Sequence, residues 1–161
     1  MRAIGKNEAR RMFGRLKERF GRKKQPTASF NDLGAYERCR RNIMRIHHNV
    51  IVMSGEIREI GLEDALINDA ALDGLCDRLD YCRDCFERAA LAIDYIANFH
   101  PFVEGNKRTS FEMAVRLLRI EGFELDDNHD TYLFIRDVAS GLYDRGEVED
   151  WLRRNSHVSS L

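Results

Sequence analysis

The chain has 161 residues, a length that suits one domain with its own hydrophobic core. Hydrophobic residues make up 43% and charged residues 33% of the sequence, as is ordinary for a globular protein, and the 2 prolines favour long helices over a turn-rich β fold. The net charge of −1 selects no class of partner, and no apolar run is long enough to span a bilayer.

The N-terminal part of the chain is strongly basic, because residues 1–24 hold 10 of the 26 Lys and Arg residues and 2 of the 27 acidic ones. We predict a basic extension or linker at residues 1–30 and a domain at residues 31–161. A mobile tail or a docked helix is the favoured interpretation of the extension, and an electrostatic arm that contacts an acidic partner or nucleic acid is the alternative. The sequence shows no signal-peptide h-region, so we expect a cytoplasmic protein whose 4 cysteines are reduced.

Helical periodicity follows and predicts a first helix from near Leu33 to His48. The segment Ser54–Gly61 has two glycines beside β-branched residues, which indicates a loop or small hairpin. Helical patterns resume at Leu62–Ile67 and at Asp69–Asp77. These elements precede the central part of the domain.

The segment Tyr81–Phe99 is the clearest core helix. Pro101 should end this helix and leave His100 as its exit residue, because a residue before proline is pushed out of the α region. Apolar residues repeat in this segment at helical spacing: Phe86, Ala89, Ala90, Ile93, Ile96 and Ala97.

The next helix is expected to end at Gly122 as its C-cap. Further helices are predicted at Thr131–Gly141, capped by Asp130, and at Glu147–Arg154. No convincing sheet is expected. One face of the helix before Gly122 is apolar, with Phe111, Ala114, Val115 and Leu118.

Residues 100–110, between the two central helices, read His-Pro-Phe-Val-Glu-Gly-Asn-Lys-Arg-Thr-Ser. A helix N-terminus with free backbone N–H groups is a natural anion site. Neutral His100 can accept a proton from an attacking hydroxyl. Glu104 is a natural ligand for Mg²⁺, which takes one or two carboxylates plus phosphate oxygens. The loop therefore predicts phosphoryl or nucleotidyl transfer, with a solvated turn as the alternative.

Four residues that follow Glu104 suit the binding of phosphate. Gly105 lets the backbone approach a phosphate closely, and Asn106 can orient a phosphate oxygen. Lys107 offers a point charge and Arg108 a planar fork. A standard P-loop is excluded, since its glycine-rich pattern does not occur.

The segment His100–Arg108 resembles the signature of the Fic/DOC family, and in particular its Doc (death-on-curing) branch. Weaker similarity extends over residues 40–155 and does not reach residues 1–30. The resemblance implies an all-α fold, a compact helical bundle with a small flap or hairpin before two central helices that flank the active loop. It also implies ATP and Mg²⁺ as cofactors. It implies His100 as the base, Glu104 as the metal ligand and Gly105–Arg108 as the phosphate cradle. We group Phe102, which pins the loop to the core, and the helix-start residue Thr109 with the cofactor-binding residues.

Two positions depart from the pattern of adenylylating Fic proteins, which usually have glycine in place of Lys107 and arginine in place of Phe111. Doc-like proteins share the lysine and lack the arginine, and they resemble kinases that pass the γ-phosphoryl group of ATP to a protein threonine. The resemblance thus implies a Doc-like toxin that phosphorylates a Ser/Thr hydroxyl of a protein, with a translation elongation factor as the expected target. A Fic-type adenylyltransferase and a catalytically silent nucleotide-binding homologue are the alternatives.

Doc-like toxins are inhibited by a separate antitoxin, whereas other Fic proteins carry an internal Ser/Thr-x-x-x-Glu-Gly/Asn segment. Ser54 followed by Arg58, and Ser140 followed by Asp144, fit that segment poorly, so we expect a separate antitoxin. The segment Ser54–Gly61 stands where Fic-like folds have a flap, which aligns the target polypeptide by strand-like backbone pairing. Its docking residues here would be Ser54, Gly55, Glu56, Ile57 and Arg58, with a plain connecting loop as the alternative.

Several other groups suggest chemistry only weakly. Cys82 and Cys85 form a CxxC pair near Cys76, but without a second pair they are expected to be packing residues rather than zinc ligands. The neighbours His47 and His48 point to different helix faces, so at most one can contact the site. The Asp126–Asp130 cluster lacks the Ca²⁺-loop pattern, and Trp151 is expected in the core.

Overall fold

The fold is known from a computed structural model that describes residues 33–159, with side chains from residue 36 onward. The predicted basic extension, residues 1–30, lies outside the described residues, so the division of the chain at residue 30 stays a prediction.

Helices dominate the part of the chain that the structure describes, which confirms the predicted all-α fold. A 3₁₀ turn at Ile57–Glu59 follows the first helix. The two short strands pair antiparallel, with Phe123 opposite Val158, and this small sheet was not predicted. The elements are α1 Leu33–Ser54, α2 Asp69–Leu79, α3 Cys85–Phe99, α4 Asn106–Ile120, β1 Phe123–Leu125, α5 His129–Val138, α6 Arg145–Arg154 and β2 Ser156–Val158.

Helix α3 lies at the centre of the core, because it contributes side chains to two separate hydrophobic clusters. Ile93 packs with residues of α4, α5 and α6, whereas Ile96 packs with residues of α1 and α2. A helix that is apolar on most of its circumference is expected to be buried in this way. The loop that follows α3 is therefore held at the junction of both clusters.

Asx side chains set the starts of the later helices. Asp84 accepts from the backbone N–H groups at the start of α3, and Asp144 forms a capping box with Glu147 at the start of α6. Asn128, rather than the predicted Asp130, caps α5 by accepting from a backbone N–H of that helix. Asn is as good an N-cap as Asp, and the true cap lies one residue before the first helical residue.

Two predictions about the chain before α2 were wrong in detail. Helix α1 continues beyond His48 to Ser54, because Ile51 extends the buried face of the helix. For the segment Ser54–Gly61 the structure shows the loop of the two predicted alternatives, a loop or a small hairpin, and the loop contains a 3₁₀ turn. The segment Leu62–Ile67 is not helical, since its backbone bonds to the loop after α3 instead.

The end of the domain follows the sequence more closely. Gly122 adopts φ 81° directly after Glu121, the C-cap of α4, as expected of glycine at a helix end. Trp151 is partly buried and stacks on Phe134 with the ring centroids 3.9 Å apart. None of the helices in the described part of the chain has both the length and the hydropathy needed to cross a membrane.

Candidate active site

The loop between α3 and α4 begins and ends in left-handed backbone. His100 is the C-cap of α3, with φ 46° and ψ 65°, so its predicted position at the helix exit is confirmed. Gly105 is the N-cap of α4, with φ 77°. A left-handed residue that is not glycine is uncommon and often marks a functional position.

The imidazole of His100 is exposed, and one of its nitrogens is already engaged. Nδ1 lies 3.0 Å from the backbone oxygen of Asn98. A carbonyl oxygen only accepts, so Nδ1 carries the proton of the neutral ring and Nε2 keeps its lone pair. This tautomer presents Nε2 as a proton acceptor at the surface.

Phe102 and Asn106 close the loop on itself. Phe102 is fully buried, as the sequence predicts for a residue that pins the loop to the core. The amide of Asn106 donates to the backbone oxygen of Phe102 at 2.7 Å and accepts from its backbone N–H at 3.0 Å. Since the Asn106 side chain is itself buried, the role seen for it is loop closure. Its expected role on a phosphate oxygen stays a prediction.

The segment before α2 pairs with the loop along its backbone. Leu66 and Phe102 form an antiparallel bridge, in which Val103 donates to the oxygen of Ala65 at 3.0 Å and Ile67 to that of Pro101 at 2.7 Å. These bonds satisfy the polar groups of both segments. They fix the loop from a part of the chain that is about 35 residues away.

His47 supports the loop from α1. Its ring is fully buried, with Nδ1 2.8 Å from the backbone oxygen of Glu63 and Nε2 3.1 Å from that of Glu104. Burial lowers the pKa of His47 and outweighs the opposing effect of the two carbonyl oxygens. His48, on the other face of α1, is exposed.

Gly105 is needed for its conformation and for its close neighbours. A Cβ at this position would lie 2.9 Å from Cδ1 of Ile51 and 3.6 Å from the ring of His47. Because Ile51 is buried, the side chain has little room to move. Helix α1 therefore packs directly on the start of α4.

Arg108 points from α4 toward the turn after α1. Its Nη2 donates to Oε1 of Glu59, and its Nη1 lies 3.5 Å from the backbone oxygen of Val50. Glu59 also accepts a hydrogen bond from the hydroxyl of Ser54. The Arg108 side chain keeps 40% of its surface exposed, so it remains open to a ligand.

The remaining loop residues differ in their exposure. Lys107 is exposed and Glu104 is half-buried, so both side chains can reach a ligand. The backbone N–H groups of residues 106–108 precede the first α-helical bond of α4, in which Thr109 donates to the Gly105 oxygen at 2.9 Å. Glycine has no side chain with which to cap these groups, and they can bind an anion.

Two of the expected cofactor-binding residues are buried. Phe102 and Thr109 are each 0% exposed, and the backbone N–H of Thr109 is used within α4. The Thr109 hydroxyl has no hydrogen-bond partner among the described residues. Neither side chain is exposed, and the grouping of both residues with the cofactor-binding residues stays a prediction.

A magnesium site at Glu104 fits the donors that are present. Residues 36–159 contain no cluster of three or more His, Cys, Asp or Glu side chains placed to hold a metal ion. Mg²⁺ does not need such a cluster, because one or two carboxylates together with phosphate oxygens and water suffice. Glu104 beside an anion-binding helix start is compatible with that kind of site.

The predicted docking flap surrounds the turn after α1. Ile57 is 86% exposed, and Arg58 pairs with Glu56 at 2.7 Å on the surface. Gly55 is exposed, whereas Ser54 ends α1 and its Oγ lies 2.8 Å from the oxygen of Ile51. Whether this surface binds a polypeptide stays a prediction.

The sequence analysis missed Glu59 and the role of His47. His47 lies four residues from both Ile43 and Ile51, which are buried, so its helical spacing could have placed it on the inner face of α1. Glu59 stands between exposed neighbours, and its partner Arg108 is 49 residues away. No local pattern indicates that contact.

A model of the Fic/DOC family matches residues 36–118, which is just over half of the chain. The matched segment runs from α1 through α4 and contains the whole loop described above. None of the curated proteins is similar enough to the chain to count as a match.

Proposed function

Because the chain belongs to the Fic/DOC family, we propose that it transfers the γ-phosphoryl group of ATP to a Ser or Thr hydroxyl of a target protein. Members of this family are typically transferases that modify proteins by transfer from a nucleotide. The observation that carries the proposal is the exposed His100, whose Nδ1 is engaged by the Asn98 oxygen so that Nε2 is left as a base.

In this proposal, different residues of the loop bind different parts of Mg²⁺-ATP. Lys107 and Arg108 bind phosphate oxygens, with the N–H groups at the start of α4. Glu104 holds Mg²⁺, which neutralises phosphate charge when it is bound. Gly105 allows the phosphates to approach the backbone.

His100 is assigned to the proton. Its Nε2 takes the proton of the target hydroxyl as the oxygen of that hydroxyl forms a bond to the γ-phosphorus. The bond between the γ-phosphorus and the bridging oxygen breaks, and ADP leaves with the electron pair. The products are a phosphorylated target, ADP and protonated His100, which returns its proton to water.

Lys107 and Phe111 favour phosphoryl transfer over transfer of AMP. Phe111 is partly buried and packs against the core cluster formed by α3 to α6, so no phosphate ligand stands at the position where adenylylating Fic proteins have an arginine. Lys107 is exposed at the start of α4, where it adds a positive charge that glycine would not provide.

The expected partners belong to this proposal as well. We take the target to be the elongation factor that delivers aminoacyl-tRNA, and the inhibitor to be a separate antitoxin chain. The second candidate for an internal inhibitory segment is Ser140 followed by Asp144. The carboxylate of Asp144 accepts a hydrogen bond in the capping box at the start of α6. That use favours inhibition by another chain over inhibition by this segment.

The test is a transfer reaction with purified elongation factor and Mg²⁺, using ATP labelled at the γ-phosphate in one sample and at the α-phosphate in another. We expect label on the target from the γ position only, and intact-mass spectrometry should show the gain of one phosphoryl group. Label from the α position would establish adenylylation instead. Binding of Mg²⁺-ATP without any transfer would indicate a silent homologue.

The variants His100→Ala and His100→Asn should abolish transfer. Asn tolerates the left-handed backbone of position 100, so a loss of transfer in His100→Asn would not be due to misfolding of the loop. His129, an exposed histidine on α5, supplies the matched control His129→Ala, which should transfer at the wild-type rate. Full activity of both His100 variants would refute the assigned base.

A further inference from the structure

Glu59 is a buried carboxylate in an otherwise exposed turn. It is 1% exposed, whereas its neighbours Ile57 and Ile60 are 86% and 76% exposed. Two apolar side chains thus face solvent while a carboxylate is placed inside. Because burial of an ionised group is unfavourable without compensation, such an inversion needs a specific partner.

The partners of Glu59 are a hydroxyl and a guanidinium. Ser54 donates from Oγ and Arg108 donates from Nη2. Burial alone would raise the pKa of Glu59, but the hydrogen bonds from Ser54 and Arg108 and the charge of Arg108 outweigh it and lower the pKa. Glu59 is therefore ionised at neutral pH and is held by both groups.

Arg108 is held on one side only. Its Nη2 bonds Glu59, and Nη1 faces the Val50 oxygen at 3.5 Å. A guanidinium has five N–H groups, so these two contacts leave donors for a further acceptor, and the side chain is 40% exposed. The guanidinium of Arg108 is thus bound to Glu59 along its buried edge, and its outer edge is open to solvent.

We propose that Glu59 is a positioning residue, which fixes the guanidinium of Arg108 so that its outer edge meets a phosphate of the nucleotide. This inference rests on the proposed function and adds a residue from the flap to the nucleotide site. A fixed fork binds phosphate with less loss of side-chain entropy than a free one. The turn that carries the proposed docking surface then also sets the position of a phosphate ligand.

A competing role for Glu59 would be to occupy Arg108 and keep phosphate away. The burial of Glu59 argues against this role, because departure of Arg108 would leave an ionised carboxylate inside the protein without its cation. Retention of the ion pair during nucleotide binding is therefore favoured. The two roles predict opposite effects when the charge of Glu59 is removed.

The test is calorimetric binding of Mg²⁺-ATP to the full-length protein and to Glu59→Gln, followed by transfer rates at varied ATP. Glu59→Gln keeps the shape of the side chain and removes its charge. We expect the Kd for Mg²⁺-ATP to rise about tenfold, as for the loss of a charge-assisted hydrogen bond. In an Arg108→Ala background the same substitution should have no further effect on the Kd. Glu149→Gln removes a partly buried carboxylate that pairs with Arg153 on α6 and should bind as the wild type does.

Each other outcome has a definite meaning. An unchanged Kd for Glu59→Gln, or an equal loss in the Arg108→Ala background, would overturn the positioning role. Tighter binding would show that Glu59 blocks Arg108. If Glu59→Gln does not fold, Ser54→Ala, which removes only the hydroxyl donor, should raise the Kd in the same direction, and an unchanged Kd would overturn the inference. No binding of Mg²⁺-ATP by the wild type would instead refute the proposed function.

Discussion

The ring of His47 lies face to face on the ring of Phe102, with centroids 3.7 Å apart and the ring planes within 6°. Both rings are fully buried. Helix α1 thereby contacts the active loop through one aromatic stack, and the same imidazole reaches the backbone oxygen of Glu104. The position of the proposed metal ligand therefore depends on a side chain of α1 that touches no ligand itself.

His47→Ala should destabilise the fold and His48→Ala should not. Loss of the stacked ring and of its contacts with two carbonyl oxygens is expected to lower the free energy of unfolding by about 3 kcal/mol. The exposed neighbour His48 serves as the matched control, with an expected change within about 0.5 kcal/mol. Urea denaturation of both variants checks this, and equal stability of the two would contradict the packing described for His47.

Gly105→Ala should cost more than Gly122→Ala. Both glycines have positive φ, 77° and 81°, but a Cβ at Gly122 meets nothing within 4 Å, whereas one at Gly105 lies 2.9 Å from Ile51. Each variant is expected to lose about 1–2 kcal/mol through backbone strain, and Gly105→Ala about 1 kcal/mol more through overpacking.

The extra loss at Gly105 should be relieved by Ile51→Val, which removes the Cδ1 that the new Cβ would meet. Thermal unfolding of the single and double variants measures this coupling. Losses that simply add in the double variant would show that the contact with Ile51 is not the cause.

Lys107→Ala should weaken the use of ATP. Removal of a phosphate-binding ammonium is expected to lower kcat/KM for ATP by about ten- to a hundredfold. Arg116→Ala, which removes an exposed cation from the same helix, is the control and should change the rate little. Initial rates at varied ATP separate the two, and a wild-type rate for Lys107→Ala would remove this lysine from the phosphate site.

Asp84→Asn should reduce the loss of stability in acid. Burial alone would raise the pKa of Asp84, but the hydrogen bonds from Arg153 and from the backbone N–H groups of Glu87 and Phe86 outweigh it and lower the pKa. The stabilisation is complete above the ordinary pKa of about 4 and disappears as the pH falls through the lower value of the folded state.

Asparagine keeps the helix cap but loses the charge that Arg153 neutralises. Since the Asp84 side chain is 42% exposed, screening should limit the effect at neutral pH to about 0.5–1 kcal/mol. Urea denaturation at pH values from about 3 to 7 should give a flatter profile for Asp84→Asn. Asp130→Asn, which changes an exposed carboxylate on α5, should leave the profile as steep as that of the wild type.

Periodicity and turn chemistry were sufficient to predict that two central helices flank the loop, although the first of them begins at Cys85 and not at the expected Tyr81. Pro101 and the apolar spacing before it placed the end of α3 correctly, with His100 at the helix exit. These features depend on neighbours along the chain, and so they are visible in the sequence.

One wrong prediction and one missed residue depend on distant partners. The segment Leu62–Ile67 has a helical pattern, but its backbone bonds to Pro101 and Val103 instead. Glu59 similarly takes its buried position from Arg108. Tertiary contacts of this kind override local preference, and a single sequence does not show them.

The backbone bonds between residues 65–68 and the active loop also affect how the domain opens. The oxygen of Pro101 accepts from both Ile67 and Asn68, and Asn68 in turn caps α2 and donates to the oxygen of Phe99 at 2.9 Å. The start of α2, the end of α3 and the loop thus share one set of hydrogen bonds. Their amides should exchange with solvent in one cooperative event, so that the site is lost as a unit rather than by local fraying.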